Sequence, residues 1–156
     1  MGRILIVTPA EIGSRKGNRI TALRWARLLK QLGHHVQVTR QYRQQRCDLM
    51  LALHARRNAA AVGQFAVTCP KTPLVVALTG TDVYHDIHQS ASARRSLRLA
   101  TRLVVLQSAA VAELPKVKAS IQRVIDLDET VSNGNAHLYM AVMESLLPPS
   151  LGGKPD

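Results

Sequence analysis

A chain of 156 residues is long enough for one well-buried domain and too short for two of ordinary size. Its hydrophobic fraction of 46% is typical of a globular protein and does not indicate disorder. The net charge of +11 would suit an anionic partner, but aromatic residues make up only 3%, which disfavours the base-stacking surface of single-strand nucleic-acid binders.

The sequence also bears on membranes and on compartment. No stretch approaches the roughly 18 uninterrupted apolar residues of a membrane span, and the apolar N-terminal run is too brief for a signal peptide. Cys47 and Cys69 lie in no metal-ligand or CxxC pattern and do not make a disulfide framework. We therefore expect no membrane span, two reduced thiols and a cytoplasmic location.

Short apolar runs alternate along the chain with longer segments of helical periodicity. Strands are expected at residues 4–7, 35–39, 48–53, 74–78, 103–106 and, more weakly, 122–125. Helices are expected at residues 20–32, 55–67, 91–100 and 109–114, with Gly33 ending the first. This alternation predicts an α/β fold with a doubly wound, mostly parallel, Rossmann-like sheet.

The alternation of predicted strands and helices ends after residue 125. Residues 1–125 are expected to form the Rossmann-like domain, and the polar, turn-forming residues 126–135 are expected to be a linker or a deletion junction. An apolar pattern returns in residues 136–147, which predicts a C-terminal helix that packs back on the domain. Residues 148–156 are expected to be a flexible tail.

The loop that follows the first predicted strand, residues 9–18, is the first candidate site. Free backbone N–H groups and the dipole of the next helix would face the ligand crevice there. Gly13 and Gly17 permit a close backbone approach, while Arg15 and Lys16 can pair with phosphate-like oxygens. The loop matches neither GxGxxG nor a Walker motif, so an anion site and a plain basic connecting loop both stay open.

The turn that follows the fourth predicted strand is the second candidate. Its polar residues Thr79, Thr81 and Asp82 come directly after a buried strand, where ligands bind in such sheets. Asp82 could accept a hydrogen bond from a substrate hydroxyl or act as a base. The alternative is a turn in which Asp82 caps the next segment.

Four possible metal ligands lie at or near the same turn. His85, His88, Asp82 and Asp86 are close in sequence, but no predicted helix would place both imidazoles on one face, so no metal is expected. His54, at the end of the third strand, is expected to be a partly buried structural histidine. The sequence has no GxSxG nucleophile motif.

Two segments, GSRKGNRITALRW from Gly13 and ALTGTD from Ala77, carry a resemblance to a known family. Shorter similarities include VTPA from Val7 and LHARR from Leu53. Over residues 3–125 the chain resembles the N-terminal half of bacterial family-4-type GT-B glycosyltransferases. It is similar to the selenosugar synthases of selenoneine biosynthesis.

This resemblance implies transfer of a sugar from a UDP-sugar to a small anionic acceptor, selenophosphate in the selenosugar branch. It implies no bound metal and no cofactor apart from the UDP-sugar donor. Asp82 would be the catalytic residue. The residues implied to bind substrate are Gly13, Ser14, Arg15, Lys16, Gly17, Asn18, Thr79, Gly80, Thr81 and Tyr84.

The donor-binding domain of the family has no counterpart in this sequence. We therefore expect an acceptor half that is inactive alone and meets a UDP-sugar only when a donor-side domain is supplied. The open alternatives are a noncatalytic anion- or nucleotide-binding module, a basic protein that binds nucleic acid without sequence preference, and a structural domain without a ligand. No specific nucleic-acid partner is expected, and a homodimer through the exposed cleft face stays open.

Overall fold

The computed structural model describes residues 1–13, 17–106 and 124–126, the last three for their backbone only. The strands are β1 Arg3–Val7, β2 His35–Thr39, β3 Leu49–Leu53, β4 Leu74–Leu78, β5 Arg102–Val105 and β6 Val124–Asp126. The helices are α1 Gly17–Gln31, α2 Ala59–Thr68, a π-helix Asp82–Asp86, α3 Ile87–Gln89 and α4 Ala91–Leu99.

The strands form one parallel sheet in the order β2-β1-β3-β4-β5-β6. The order reverses between β1 and β3, and the carboxyl ends of the strands at such a switch point border the usual ligand crevice of a doubly wound sheet. The α/β fold with a Rossmann-like parallel sheet, predicted from the alternation of strands and helices, is confirmed.

Helices cover both faces of the sheet, as the alternating directions of strand side chains require. On one face, Ile4 and Ile6 of β1 pack in a cluster with Trp25 of α1. On the other face, Leu5 of β1 packs in a cluster with Phe65 of α2, to which residues of the π-helix, α3 and α4 also contribute. β3 and β4 are buried along their whole length, which explains their continuous apolar sequences.

Helix α1 ends where the sequence predicts, because Gly33 takes a φ of 86° that favours glycine. Its buried face includes only some of its apolar residues. Ile20 and Leu23 are exposed, and the residues that face the sheet are Ala22, Trp25, Ala26 and Leu29. The buried face therefore combines two small alanines with the large apolar side chains of Trp25 and Leu29.

Four elements depart most clearly from the sequence-based prediction. Helix α2 begins at Ala59 rather than at residue 55, because the chain turns at His54, whose φ is 82°. The π-helix and α3 had not been predicted. β6 begins two residues later than predicted and extends to Asp126, one residue past the expected domain boundary. The predicted helices at 109–114 and 136–147, the linker at 126–135 and the tail lie wholly or almost wholly outside the described residues.

An ion pair lies at the amino-terminal ends of the neighbouring strands β1 and β3. The Arg3 guanidinium donates to the Asp48 carboxylate at 3.0 Å, and this hydrogen bond lowers the pKa of Asp48. Beside it, burial raises the pKa of the Cys47 thiol to about 11. Cys47 and Cys69 are both free thiols, as predicted.

Within the described part of the chain, no helix is both long and apolar enough to cross a membrane.

Candidate functional site

A buried polar cluster lies at the carboxyl ends of β3 and β4, and we call its members His54, Asp82 and Asp86 the buried triad. His54 directly follows β3, and its backbone N–H donates to Ala77 O of β4 at 2.9 Å. Asp82 and Asp86 are the first and last residues of the π-helix that follows β4. All three residues are at most 2% exposed.

Asp82 and Asp86 lie four residues apart on the π-helix, so both carboxylates lie on the side that faces His54. The defining hydrogen bond of the π-helix runs from Ile87 N–H to Asp82 O, five residues back. A turn widened in this way takes more than four residues, so side chains four apart, such as Asp82 and Asp86, point in nearly the same direction.

The Asp82 carboxylate is fully engaged by protein donors. Its closest contact is His54 Nδ1, at 2.7 Å from Oδ1. The other donors belong to the two turns that follow β3 and β4, and they are Ala55 N at 3.0 Å, Thr79 N at 3.2 Å, Arg56 N at 3.3 Å and Thr79 Oγ1 at 3.4 Å. Asp82 therefore links the two turns through hydrogen bonds.

Asp86 is less completely engaged than Asp82. Its Oδ1 lies 3.1 Å from Nδ1 of His85, a side chain that is 60% exposed. Its Oδ2 lies 3.4 Å from Arg56 Nε and 3.7 Å from His54 Nε2, distances of ion pairs without hydrogen-bond geometry. A buried carboxylate oxygen without a hydrogen bond is electrostatically costly unless a cation completes its surroundings.

Asn58 extends the polar network to the switch point of the sheet. Its side-chain amide, 3% exposed, donates to Val7 O at the end of β1 and to Leu53 O at the end of β3. One amide thus satisfies the last carbonyls of the two strands between which the strand order reverses. In α4, Ser96 Oγ donates to Ala55 O at 2.9 Å and ties the same turn to the helical layer.

The predicted residues of the first loop are only partly described. Gly13 is exposed with a φ of 84°, which favours glycine, while Ser14, Arg15 and Lys16 lie outside the described residues. Gly17 begins α1, and the Asn18 carbonyl accepts a hydrogen bond from Thr8 Oγ1 at 3.3 Å. A cavity of about 460 Å³ beside the carboxyl end of β1 is lined by Pro9 of this loop but by no residue named as substrate-binding.

The predicted residues of the second turn divide into buried and exposed groups. Asp82 and the partly buried Thr79 are hydrogen-bonded to each other, whereas Gly80, Thr81 and Tyr84 are exposed. The role of Asp82 in binding or catalysis stays a prediction that nothing tests. The structure shows that its carboxylate faces the protein interior, with its oxygens occupied by the donors described above.

Sequence reasoning named all three members of the buried triad but did not group His54 with the two carboxylates. The metal group considered from the sequence combined Asp82 and Asp86 with His85 and His88, but both of these histidines are exposed. His54 was expected to be only partly buried, and it is 2% exposed. The available signal was its position directly after a buried strand, beside the turn that holds Asp82.

Residues 74–156 match the family model described as TAtT, the TRAP transporter T-component. The match begins at β4 and spans slightly more than half of the chain. The chain belongs to the TRAP transporter T-component family. No curated protein matches the chain significantly.

This family assignment overturns the glycosyltransferase hypothesis. The T-component family is not a glycosyltransferase family, so the resemblance to family-4-type GT-B enzymes and to selenosugar synthases was misleading, and UDP-sugar transfer falls with it. The alternative of a noncatalytic anion- or nucleotide-binding module gains no support from the match either. Glycines and basic residues after β1, and a polar turn after β4, are features that many doubly wound sheets share, so they indicated the fold rather than the chemistry.

The match to the T-component family also divides the buried triad. Asp82 and Asp86 lie within the matched residues, together with Tyr84 and the exposed Arg95 and Arg98 of α4. His54 lies outside them. The matched segment is therefore bound to the rest of the sheet through His54–Asp82, in addition to the pairing of β3 with β4.

Proposed function

We propose that this chain is a component of a TRAP transporter system that acts by binding another protein of that system. The observation that carries the proposal is the match of residues 74–156 to the TRAP transporter T-component family. None of the described helices is both long and apolar enough to cross a bilayer.

The charge of the chain favours an acidic partner surface. With a net charge of +11, the chain attracts acidic surfaces and associates faster with them at low ionic strength. Arg95 and Arg98 are exposed on α4, within the matched segment. Tyr84 of the π-helix is 53% exposed and offers a large side chain of the kind enriched at protein interfaces.

Direct binding tests this proposal. The immobilised full chain is exposed to each purified component of the TRAP transporters of its source organism, and binding is followed by biolayer interferometry. We expect saturable binding to at least one component, weakened by added salt. The double variant Arg95→Glu with Arg98→Glu should bind about tenfold more weakly or worse, because two charges would then repel an acidic partner.

A matched control separates the α4 surface from net charge alone. Arg27→Glu with Lys30→Glu makes the same charge change at the same spacing on the exposed side of α1, outside the matched segment. This control should bind nearly as well as the wild type. Equal losses in the two double variants would mean that only total charge matters, and would remove α4 from the proposal.

A further inference from the structure

Two buried atoms of the triad lack hydrogen-bond partners among the described residues. They are His54 Nε2 and Asp86 Oδ2, on side chains that are each 2% exposed, and they lie 3.7 Å apart. Buried polar atoms are rarely left unsatisfied in folded proteins, so each such atom calls for an explanation. Here the two atoms face each other, which points to one shared explanation.

The contact between His54 and Asp82 decides which nitrogen of the imidazole is free. At 2.7 Å from a carboxylate oxygen, Nδ1 must carry the hydrogen, because two lone pairs at that distance would repel. The backbone N–H of Arg57 also points at Nδ1, but from 3.4 Å, which is a longer and weaker contact. Nε2 is thus the ring nitrogen that lies toward the Asp86 carboxylate, and it offers its lone pair to a metal ion when only Nδ1 carries a hydrogen.

Two acceptors that face each other in the interior form a site for a cation. Zn²⁺ binds histidine nitrogen at about 2.0–2.1 Å and carboxylate oxygen at about 2.0–2.2 Å. Because these two lengths together exceed the 3.7 Å separation of Nε2 and Oδ2, a single ion can contact both atoms from an open angle between them. The atoms that the three triad residues offer as ligands all lie within 4.8 Å of one another.

The surroundings of His54 repeat an arrangement common at metal sites. Metal-binding histidines usually donate their other ring N–H to a carboxylate, which fixes the ring and increases its basicity. Asp82 does this for His54 and is itself held by backbone N–H groups. The imidazole ligand favours Zn²⁺ and related transition metals over Ca²⁺ or Mg²⁺, which bind shells made of oxygen.

We propose that His54 and Asp86 bind a divalent transition metal ion of the Zn²⁺ type, with Asp82 as the residue that positions the imidazole. Arg56 then acts as a stand-in cation, since its Nε lies 3.4 Å from Asp86 Oδ2 and half of its side chain reaches solvent. Metal binding displaces the guanidinium outward and leaves the charge of Asp86 compensated. This inference goes beyond the proposed transport role and does not depend on it.

The test is a metal titration of the full chain after treatment with EDTA and desalting. Zinc chloride is followed by calorimetry, and cobalt chloride by the visible absorption of the bound ion. We expect one ion per chain. Asp86→Asn and His54→Asn should abolish binding at this site, and asparagine suits the latter position because it tolerates the positive φ of His54.

Three further variants make the titration specific. Asp82→Asn should weaken affinity by about 10–100-fold, the usual effect of losing such a positioning carboxylate. Arg56→Gln should strengthen binding, because the competing cation is gone. His35→Asn, which removes an exposed histidine on β2, should leave binding unchanged.

Two results would overturn the proposal. One is a wild-type chain that is folded by circular dichroism and takes up neither ion. The other is binding that is equally strong in the wild type and in Asp86→Asn, which would assign the ion to surface histidines. If His54→Asn fails to fold, Asp86→Asn and Arg56→Gln still decide the question. Because these readouts need no transporter protein, failure of the metal site and failure of the transport role are distinguishable.

Discussion

His54 Nδ1 lies 2.7 Å from Asp82 Oδ1, and this contact joins the end of β3 to the π-helix that follows β4. Both side chains are at most 2% exposed. A buried, charge-assisted contact of this kind fixes the relative position of the two turns at the carboxyl ends of β3 and β4. The buried triad thus has a structural role at the carboxyl ends of β3 and β4, in addition to the metal binding that we propose for it.

Substitutions at His54 test this structural role. We expect His54→Val to lower the free energy of unfolding by about 1–3 kcal/mol, since it removes the partner of a buried carboxylate. Valine should add backbone strain at the φ of 82°, whereas His54→Asn avoids that strain and should cost less. Urea unfolding measures both variants. A His54→Val chain as stable as the wild type would contradict the structural role.

Asn58 offers a test with a built-in pH dependence. Its amide donates to Val7 O and Leu53 O, so Asn58→Asp places a carboxylate against two carbonyl oxygens. At neutral pH we expect Asn58→Asp to be less stable than Asn58→Ala by about 1–3 kcal/mol. Burial among acceptors raises the pKa of the new carboxyl, so its destabilisation should shrink as the pH falls and the group becomes protonated.

The measurement for Asn58 is the difference in unfolding free energy between the two variants across the acid range. A difference that stays constant with pH would show that the new carboxyl is not buried against the two carbonyls. Asn58→Ala serves as the control for the loss of the amide, because it creates no new charge. The test therefore isolates the charge at the switch point of the sheet.

Cys47 should be an unreactive thiol in the folded chain. Burial raises its pKa to about 11, so little thiolate exists near pH 8, and alkylation depends on the thiolate. In the folded Cys69→Ser variant, iodoacetamide should modify Cys47 slowly at pH 8 and faster as the pH approaches 11. Unfolding in urea should remove the protection, so that Cys47 is modified rapidly at pH 8 as well. Rapid modification of the folded variant at pH 8 would contradict the burial of this thiol.

The same shift in the Cys47 pKa affects stability at high pH. The pKa of Cys47 in the folded chain lies above its pKa in the unfolded chain. The stability that the buried, protonated thiol contributes is therefore complete below the unfolded pKa and is lost as the pH rises toward 11. Cys47→Ala should therefore unfold with a weaker alkaline dependence than the wild type. Chemical denaturation between neutral pH and pH 11 measures this difference.

The sequence predicted the fold well because strand and helix periodicities are local signals. β2 and β4 have the predicted bounds, and Gly33 ends α1 as expected from its tolerance of positive φ. The π-helix could not be predicted from the sequence, and its residue Asp82 is held by tertiary hydrogen bonds such as the one from Ala55 N, 27 positions earlier in the chain. Tertiary hydrogen bonds of this kind leave no periodic pattern.

The candidate site was predicted only in part. The rule that ligands lie at the carboxyl ends of parallel strands selected His54 and the turn with Asp82, but the sequence did not show that these two residues meet. It also suggested His85 and His88, which are exposed. The motifs in the loop after β1 and in the turn after β4 suggested a glycosyltransferase, which the family match overturns.

Uptake by the TRAP transporter in living cells tests the transport role most directly. Cells of the source organism that lack this chain are compared with cells complemented by the wild type, by Arg95→Glu with Arg98→Glu, or by the α1 control Arg27→Glu with Lys30→Glu. We predict that uptake of the transporter's labelled substrate falls without the chain and returns with the wild type and the α1 control, but not with the α4 variant. Uptake that is the same with and without the chain would contradict a role as a transporter component.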